Sequence, residues 1–253
     1  KSYRVLTWDY RGHGRSGPAP RRGFGIGTCA DDLAVLMERL KVDRAVLFGH
    51  SMGSQVVLET KRRSPARVAG LVSVLGGYGK TVQTFFDNPA TLELLKVARA
   101  AYEAKPSFAQ MLVRRVAKLP LSFDVAKLMG IVHPDLCRRG DMVAYMEHLS
   151  RLDLNVYFQL AQDLQDHDAS DVLRSLDVPL LIVAGDRDKF TPHHISERMQ
   201  SMAPGSELFV IRGGSHAALI EQPELVELRV ERFLVEKLGY PKLPPKKAVE
   251  RVV

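Results

Sequence analysis

Cysteine is scarce in this sequence: only Cys29 and Cys137 occur among its 253 residues. The two do not have the paired spacing of a metal or redox motif, and they are too few for a disulfide framework. No apolar run reaches the roughly 18 residues that a transmembrane helix requires. The sequence also lacks an H-E-x-x-H motif, a P-loop and a dinucleotide-binding G-x-G-x-x-G after a strand. We therefore expect no metal, no cofactor and no membrane span.

A strong charge of one sign is also absent, since 36 basic and 29 acidic side chains give a formal net charge of +7. The excess lies in residues 1–27 and 240–253, whereas residues 78–175 carry twelve side chains of each sign. No basic stripe is interleaved with aromatic residues, so nucleic acid is not an expected partner. The hydrophobic content of 45% is ordinary for a globular protein. We expect a soluble protein of the cytoplasm, with solvated surface charges.

The segment Gly49-His-Ser-Met-Gly53 matches the pattern G-x-S-x-G. An apolar run of strand character, residues 45–48, precedes it, and no helix breaker occurs in the segment 55–60 that follows. Strand, sharp turn and helix are the context of a nucleophile elbow, in which strained backbone presents a serine hydroxyl at the top of a sheet. The pattern therefore predicts Ser51 as a nucleophile, with the backbone N–H of Met52 as an oxyanion donor.

An acid and a base follow the elbow in the chain order that this motif requires. Residues 180–184 read as a buried strand, and a loop with Asp186 and Asp188 comes directly after it. Residues 207–211 read as the next strand, and His216 lies just beyond its end. Because open α/β sheets place their chemistry at the carboxyl ends of strands, we expect these loops to meet near Ser51.

Four stretches together resemble the α/β-hydrolase superfamily, in particular its lipase, esterase and lactonase-like members with a helical cap. They are residues 9–16, 49–53, 185–192 and 214–223, and they span most of the chain in the family's order. The resemblance implies that Ser51 is the nucleophile, Asp188 the acid and His216 the base. Asp186 remains an alternative acid, although an aspartate at that place could instead bind loop amides.

The resemblance also implies a mostly parallel sheet flanked by helices, with a helical cap inserted between core strands. We expect an α/β-hydrolase core in residues 1–77 and 172–239, a helical cap in 78–171 and an irregular basic tail in 240–253. Further strands are predicted over 69–75, and helices over 29–40, capped near Thr28, and 224–238. The remaining histidines are predicted to be turn, surface or core residues: His13, His50, His133, His148, His167, His193 and His194.

Residues 3–8 match the fourth strand of the sheet in the resembled family. There, the preceding strand ends in a His-Gly type loop that supplies the second oxyanion N–H, and nothing before Lys1 can supply it here. We therefore expect that the sequence is a truncated piece with its first strands missing, or that another chain supplies the segment. Losing one oxyanion donor lowers turnover by about 10²–10³, so we expect this form to be weakly active or inactive.

The predicted activity is hydrolysis of a carboxylic ester, lactone or thioester of a small to medium apolar molecule through an acyl-enzyme. The small-molecule substrate is the only partner that the sequence indicates, and the oligomeric state is left open. An acyltransferase or a cofactor-free haloperoxidase could use the same three residues. A third alternative is a protein that kept the elbow, lost turnover and acts by binding.

Overall fold

The computed structural model describes residues 3–17 and 23–242. Four parallel strands pair side by side in chain order: β1 (Ala45–His50), β2 (Val68–Val74), β3 (Leu180–Gly185) and β4 (Glu207–Ile211). The helices are α1 (Ile26–Arg39), α2 (Met52–Arg63), α3 (Ala90–Ala104), α4 (Pro106–Ala117), α5 (Pro120–Leu128), α6 (Arg139–Arg151), α7 (Leu154–Asp166), α8 (Ser170–Arg174), α9 (His193–Met202), α10 (Ala218–Glu221) and α11 (Pro223–Leu238), with 3₁₀ segments at Pro65–Arg67 and Thr81–Asp87.

The sheet is covered on both faces, which explains why its central strands are apolar runs without alternation. Successive side chains of a strand point to opposite faces. In β3, Leu180 and Ile182 pack in one cluster with residues of α1, α2, α8 and α9. Leu181 and Val183 pack in a second cluster with residues of α10 and α11. This three-layer arrangement confirms the predicted parallel sheet flanked by helices.

Helices α3 to α7 lie in the chain between β2 and β3. Part of this segment has a small core of its own, in which Phe123, Val132 and Met142 are buried together. Helix α7 instead packs with α1 and α2, through a third cluster that includes Val156 and Leu160. The segment is thus anchored on the sheet-bearing part of the chain by its last long helix.

Helix α1 begins at Ile26, before the cap predicted near Thr28, and Thr28 lies inside the helix. The residue before the helix is Gly25, which has no side chain to bind the free amides of the first turn. A carboxylate oxygen of Asp163, on α7, accepts the hydrogen bond from the Ile26 N–H instead. This cap comes from 137 residues away in the chain, so no local pattern could reveal it.

The prediction of a sheet strand over residues 3–8 is wrong. This segment has no regular structure, and Val5 and Leu6 are exposed. A strand requires hydrogen bonds from a neighbour, and the described sheet ends at β1 on this side. Tyr3 instead packs against the ring of Tyr240, with centroids 5.7 Å apart.

The predicted tail, 240–253, lies almost entirely outside the described residues, of which only 240–242 belong to it. Across residues 3–17 and 23–242, every helix is too short or too polar to cross a lipid bilayer.

Candidate active site

Ser51 occupies the turn between β1 and α2, with φ 55° and ψ −121°. A positive φ is a strained conformation for a residue with a side chain. The turn is so tight that a Cβ atom on Gly49 would overlap the backbone carbonyl of Gly53. A Cβ atom on Gly76, just past β2, would overlap Ser54. The sharp strand-to-helix turn that the pattern predicted is therefore present, and glycine is required where the backbones approach.

The imidazole of His216 lies between Ser51 and Asp188. Its Nε2 is 2.9 Å from the Oγ of Ser51, and its Nδ1 is 2.9 Å from Oδ2 of Asp188. A proton on Nδ1 would let the ring donate to the carboxylate and accept from the serine hydroxyl at Nε2. Only 15% of the His216 side chain and none of the Asp188 side chain is exposed. The three groups form one continuous hydrogen-bonded chain.

The carboxylate of Asp188 is held by its own loop. Its Oδ1 accepts the backbone N–H groups of Phe190 and Thr191, at 2.8 and 3.0 Å, and its Oδ2 accepts the Thr191 hydroxyl at 2.8 Å. These donors fix the carboxylate with both oxygens towards Nδ1 of His216. Buried carboxylates require such partners, so the loop after β3 holds the Asp188 side chain in place.

Met52 is the first residue of α2, directly after Ser51. The first amides of a helix have no carbonyl partner within it, and the helix dipole places partial positive charge at this end. The Met52 N–H and the N-terminus of α2 therefore lie beside the serine hydroxyl. This arrangement can stabilise negative charge that develops on an oxygen next to Ser51.

A sequence model described as "alpha/beta hydrolase fold" matches residues 1–223. The chain belongs to the α/β-hydrolase fold family. This family match and the similarity of the chain to known hydrolases support hydrolase activity. Proteins with this fold catalyse many different reactions. The individual relatives therefore show which reactions occur among proteins similar to this chain.

Among the relatives, the chain is 27% identical to "Putative carbamate hydrolase RutD" of Caulobacter sp. (strain K31), over 92% of this chain and 81% of that protein. It is 26% identical to "Non-heme chloroperoxidase" of Streptomyces lividans, over 88% and 79%. Among solved structures, Est816, described as an N-acyl homoserine lactone degrading enzyme, aligns with a TM-score of 0.63 and 26% identity, over 89% and 80%.

In this α/β-hydrolase, Asp186 lies apart from the hydrogen-bonded chain. Its Oδ1 accepts the backbone N–H of Gly213 at 2.7 Å, which ties the loop after β3 to the loop after β4. Asp188, two residues later, is the carboxylate that contacts His216. The geometry therefore separates the two candidate acids by position, with Asp186 as a loop brace.

Two neighbours of His216 were not assigned any role from the sequence. The ring of Phe190 lies 4.8 Å from the imidazole, centroid to centroid, and Phe85 packs edge-on against Phe190. Glu221, which is buried, accepts the Ser215 hydroxyl at 2.6 Å and the His133 backbone N–H at 2.6 Å. Phe190 thus forms an apolar wall beside the imidazole. Glu221 holds the loop that carries His216 in place. Glu221 lies in the stretch 214–223 that carries the family resemblance, so the sequence pointed to this residue. It gave no indication of the groups that Glu221 binds.

The adjacent His50 packs against His216 without joining the chain of hydrogen bonds. Its Nε2 lies 3.2 Å from the His216 backbone oxygen, and the two rings are 5.1 Å apart. Removal of water by the surrounding protein, and the nearby His216, lower the pKa of His50 from 6.5 to about 4. His50 as a whole is nevertheless exposed, so solvent screens the effect of these neighbours on its pKa. His50 is therefore a neutral neighbour at ordinary pH.

Replacing His50 with asparagine is expected to make the free energy of unfolding depend less steeply on pH below pH 6.5. Between pH 6.5 and about 4, the unfolded chain binds a proton at this position and the folded chain does not. Stability of the parent protein therefore falls as the pH falls through this window. Urea unfolding across this range would show a steeper loss for the parent than for His50→Asn. His148→Asn, on an exposed helix position, is the control and should follow the parent; parallel curves for the parent and His50→Asn would contradict the assignment.

Proposed function

We propose that the protein is a serine hydrolase that cleaves a carboxylic ester, lactone or thioester through an acyl-enzyme. The observation that supports this most strongly is the continuous contact from Ser51 Oγ through His216 to Asp188, with both distances at 2.9 Å. A nucleophile within hydrogen-bond reach of a base, which is oriented by a third group, is the arrangement that activates a serine.

In the proposed mechanism, His216 accepts the proton of Ser51 at Nε2 as the serine oxygen attacks the acyl carbon. The protonated imidazole then gives this proton to the leaving group, which departs as an alcohol or thiol. Asp188 holds the imidazole in the correct tautomer and stabilises its cation. Water, deprotonated by His216, hydrolyses the acyl-enzyme and restores the serine. The Met52 N–H is the oxyanion donor that we assign to the tetrahedral intermediates.

The proposed substrate is a small to medium apolar molecule. Phe190, Phe85 and Phe86 form an aromatic group next to His216, and such surfaces bind apolar acyl or alcohol parts. We propose that residues 78–171 are a cap on a core formed by 1–77 and 172–239. The described similarity of Est816 to this chain favours a lactone within this class.

Two alternatives use the same residues. An acyltransferase would pass the acyl group to an acceptor other than water, and a haloperoxidase would pass it to peroxide. The similarity of the chain to a non-heme chloroperoxidase supports the haloperoxidase as an alternative. A binding protein without turnover is the third alternative, and it predicts that Ser51 is unreactive.

A fluorophosphonate probe is expected to label Ser51 covalently, because the probe reports an activated serine. Peptide mass spectrometry would locate the label on the segment that contains residues 45–61. Incubation with p-nitrophenyl butyrate is then expected to yield butyrate as the main product, even with a competing alcohol, thiol or peroxide present. Transfer to the competing acceptor as the main outcome would favour an acyltransferase or haloperoxidase. An unlabelled Ser51 in folded protein would contradict every enzymatic alternative.

A further inference from the structure

The side chain of Phe190 lies against the imidazole of His216. The two ring centroids are 4.8 Å apart, and the ring planes are inclined by 49°. Phe190 is only partly buried, so its ring also has a surface that a bound molecule can reach. The backbone of the same residue holds the acid, because its N–H donates to Oδ1 of Asp188 at 2.8 Å. Phe190 therefore contacts both the acid and the base while part of it stays open to solvent.

The 3₁₀ segment Thr81–Asp87 braces Phe190 from the chain that follows β2. The hydroxyl of Thr84 lies 3.0 Å from the Phe190 carbonyl oxygen, which is within hydrogen-bond distance. Phe85 packs edge-on against the Phe190 ring with centroids 4.9 Å apart, and Phe86 lies at 5.5 Å. Phe85 also packs against the cluster that joins α7 to α1 and α2. The orientation of the Phe190 ring is therefore fixed by its neighbours.

The backbone of this 3₁₀ segment is strained where it meets Phe190. Phe86 and Asp87 have φ angles of 59° and 50°, in the left-handed region that residues with a side chain rarely occupy. Such conformations persist only where the surrounding contacts hold them, and they are concentrated at sites that bind ligands. Here the Phe86 N–H donates to the Lys189 carbonyl, which fixes the kink against the acid loop. The kink thus keeps its two aromatic rings on Phe190.

The stereochemistry of the proposed reaction indicates which part of an ester lies next to this ring. The tetrahedral carbon bonded to Ser51 also carries the oxyanion, the leaving-group oxygen and the acyl chain. The oxyanion points to the Met52 N–H, whereas the leaving-group oxygen must come within reach of Nε2 of His216 to receive its proton. The carbon group attached to the leaving oxygen therefore lies beside the imidazole, on which the Phe190 ring is packed.

We propose that Phe190 is a specificity-determining residue that favours an aromatic group on the alcohol side of the scissile bond, a proposal that rests on the proposed ester hydrolysis. Aromatic rings pair in offset or edge-on arrangements, which strengthens their contact beyond that of the buried apolar area. The preference holds whether the alcohol leaves as a separate molecule or stays attached to the acyl part, as in a lactone. An aromatic group on the acyl side would lie on another side of the tetrahedral carbon and gain little from Phe190.

Two isomeric esters test this proposal, because they carry the same phenyl group on opposite sides of the ester. Benzyl acetate has it in the alcohol part, and methyl phenylacetate has it in the acyl part. The ratio of kcat/KM between a variant and the parent cancels the intrinsic reactivity of each ester. Phe190→Leu, which keeps an apolar side chain, is expected to lower kcat/KM for benzyl acetate about fivefold. The same variant should hydrolyse methyl phenylacetate within about twofold of the parent.

Phe209→Leu is the matched control, since it makes the same change of atoms away from the imidazole. The Phe209 ring packs in the cluster between the sheet and helices α10 and α11, so both esters should be hydrolysed as by the parent. Thermal unfolding of each variant would verify the fold. Equal losses for the two isomers in Phe190→Leu would overturn the proposal, because the ring would then orient His216 rather than select the alcohol. Unchanged kcat/KM for both esters would overturn it as well.

Binding of benzyl alcohol separates the failure of this proposal from the failure of the proposed function. Saturation-transfer NMR detects such a weak ligand without any turnover. The parent and Phe209→Leu are expected to bind the phenyl ring, and Phe190→Leu to bind it about fivefold more weakly. This pattern in a parent that hydrolyses neither ester would refute ester hydrolysis and retain the aromatic site at Phe190. Equal binding by all three proteins would refute the aromatic site, whatever the esters show.

Discussion

Replacing Ser51 with alanine is expected to lower kcat for p-nitrophenyl butyrate by about 10⁶-fold, to the level of binding and oxyanion stabilisation alone. The substitution removes the only oxygen within hydrogen-bond distance of Nε2 of His216 among the described residues. Without it the imidazole has no nucleophile to activate. The variant should fold, because alanine adds no atoms to the elbow. Turnover measured by absorbance, with thermal unfolding alongside, would check both statements.

Ser54→Ala is the matched control for this experiment. Ser54 lies on the same helix, and its buried hydroxyl donates to the Gly49 carbonyl at 3.0 Å rather than to the imidazole. Its loss is expected to cost about 1 kcal/mol of stability and to leave kcat close to that of the parent. A Ser51→Ala variant that retained the parent's kcat would remove the basis of the proposed mechanism.

The double variant with Ser51→Ala and His216→Ala gives a sharper result. Residues that act as one unit are strongly non-additive, so the pair should be about as slow as Ser51→Ala alone. Losses that multiplied instead would mean that the serine and the histidine act in separate steps. The 2.9 Å contact between them predicts the first outcome.

The strands of the sheet could be predicted because each of them appears in the sequence as a short apolar run. β2 and β3 have neighbours on both sides and both faces covered, and their burial follows the run of apolar letters. Residues 3–8 have the same kind of sequence and form no strand. The difference is that β2 and β3 form hydrogen bonds with neighbouring strands, whereas residues 3–8 have no such neighbour in the described sheet. The sequence of a single segment does not show whether a neighbouring strand is present.

The candidate site was accessible to sequence reasoning for a related reason. Ser51, Asp188 and His216 each follow a strand end, and parallel strands bring such ends to one edge. Phe190 and the partners of Glu221 were missed, since these contacts join loops that are distant in the chain.

Replacing Asp188 with asparagine is expected to reduce kcat by about 10⁴-fold. An asparagine amide directed at Nδ1 of His216 would donate a hydrogen bond, so the ring would carry its proton on Nε2 instead. That tautomer cannot accept the proton of Ser51. The carboxamide oxygen can still accept from the Phe190 and Thr191 amides, so we expect the loop to keep its shape. The loss should therefore appear in kcat, with little change in KM or in thermal stability.

Asp186→Asn is the matched control, since it makes the same change of atoms two residues earlier on the same loop. An asparagine there can still accept the Gly213 N–H through its oxygen, so kcat is expected to stay near the parent's value. The pair of variants separates the two acids that the sequence left open. A large loss in Asp186→Asn with a small one in Asp188→Asn would reverse the assignment. Equal and small losses in both would mean that His216 is oriented by its burial and by Phe190 rather than by a carboxylate.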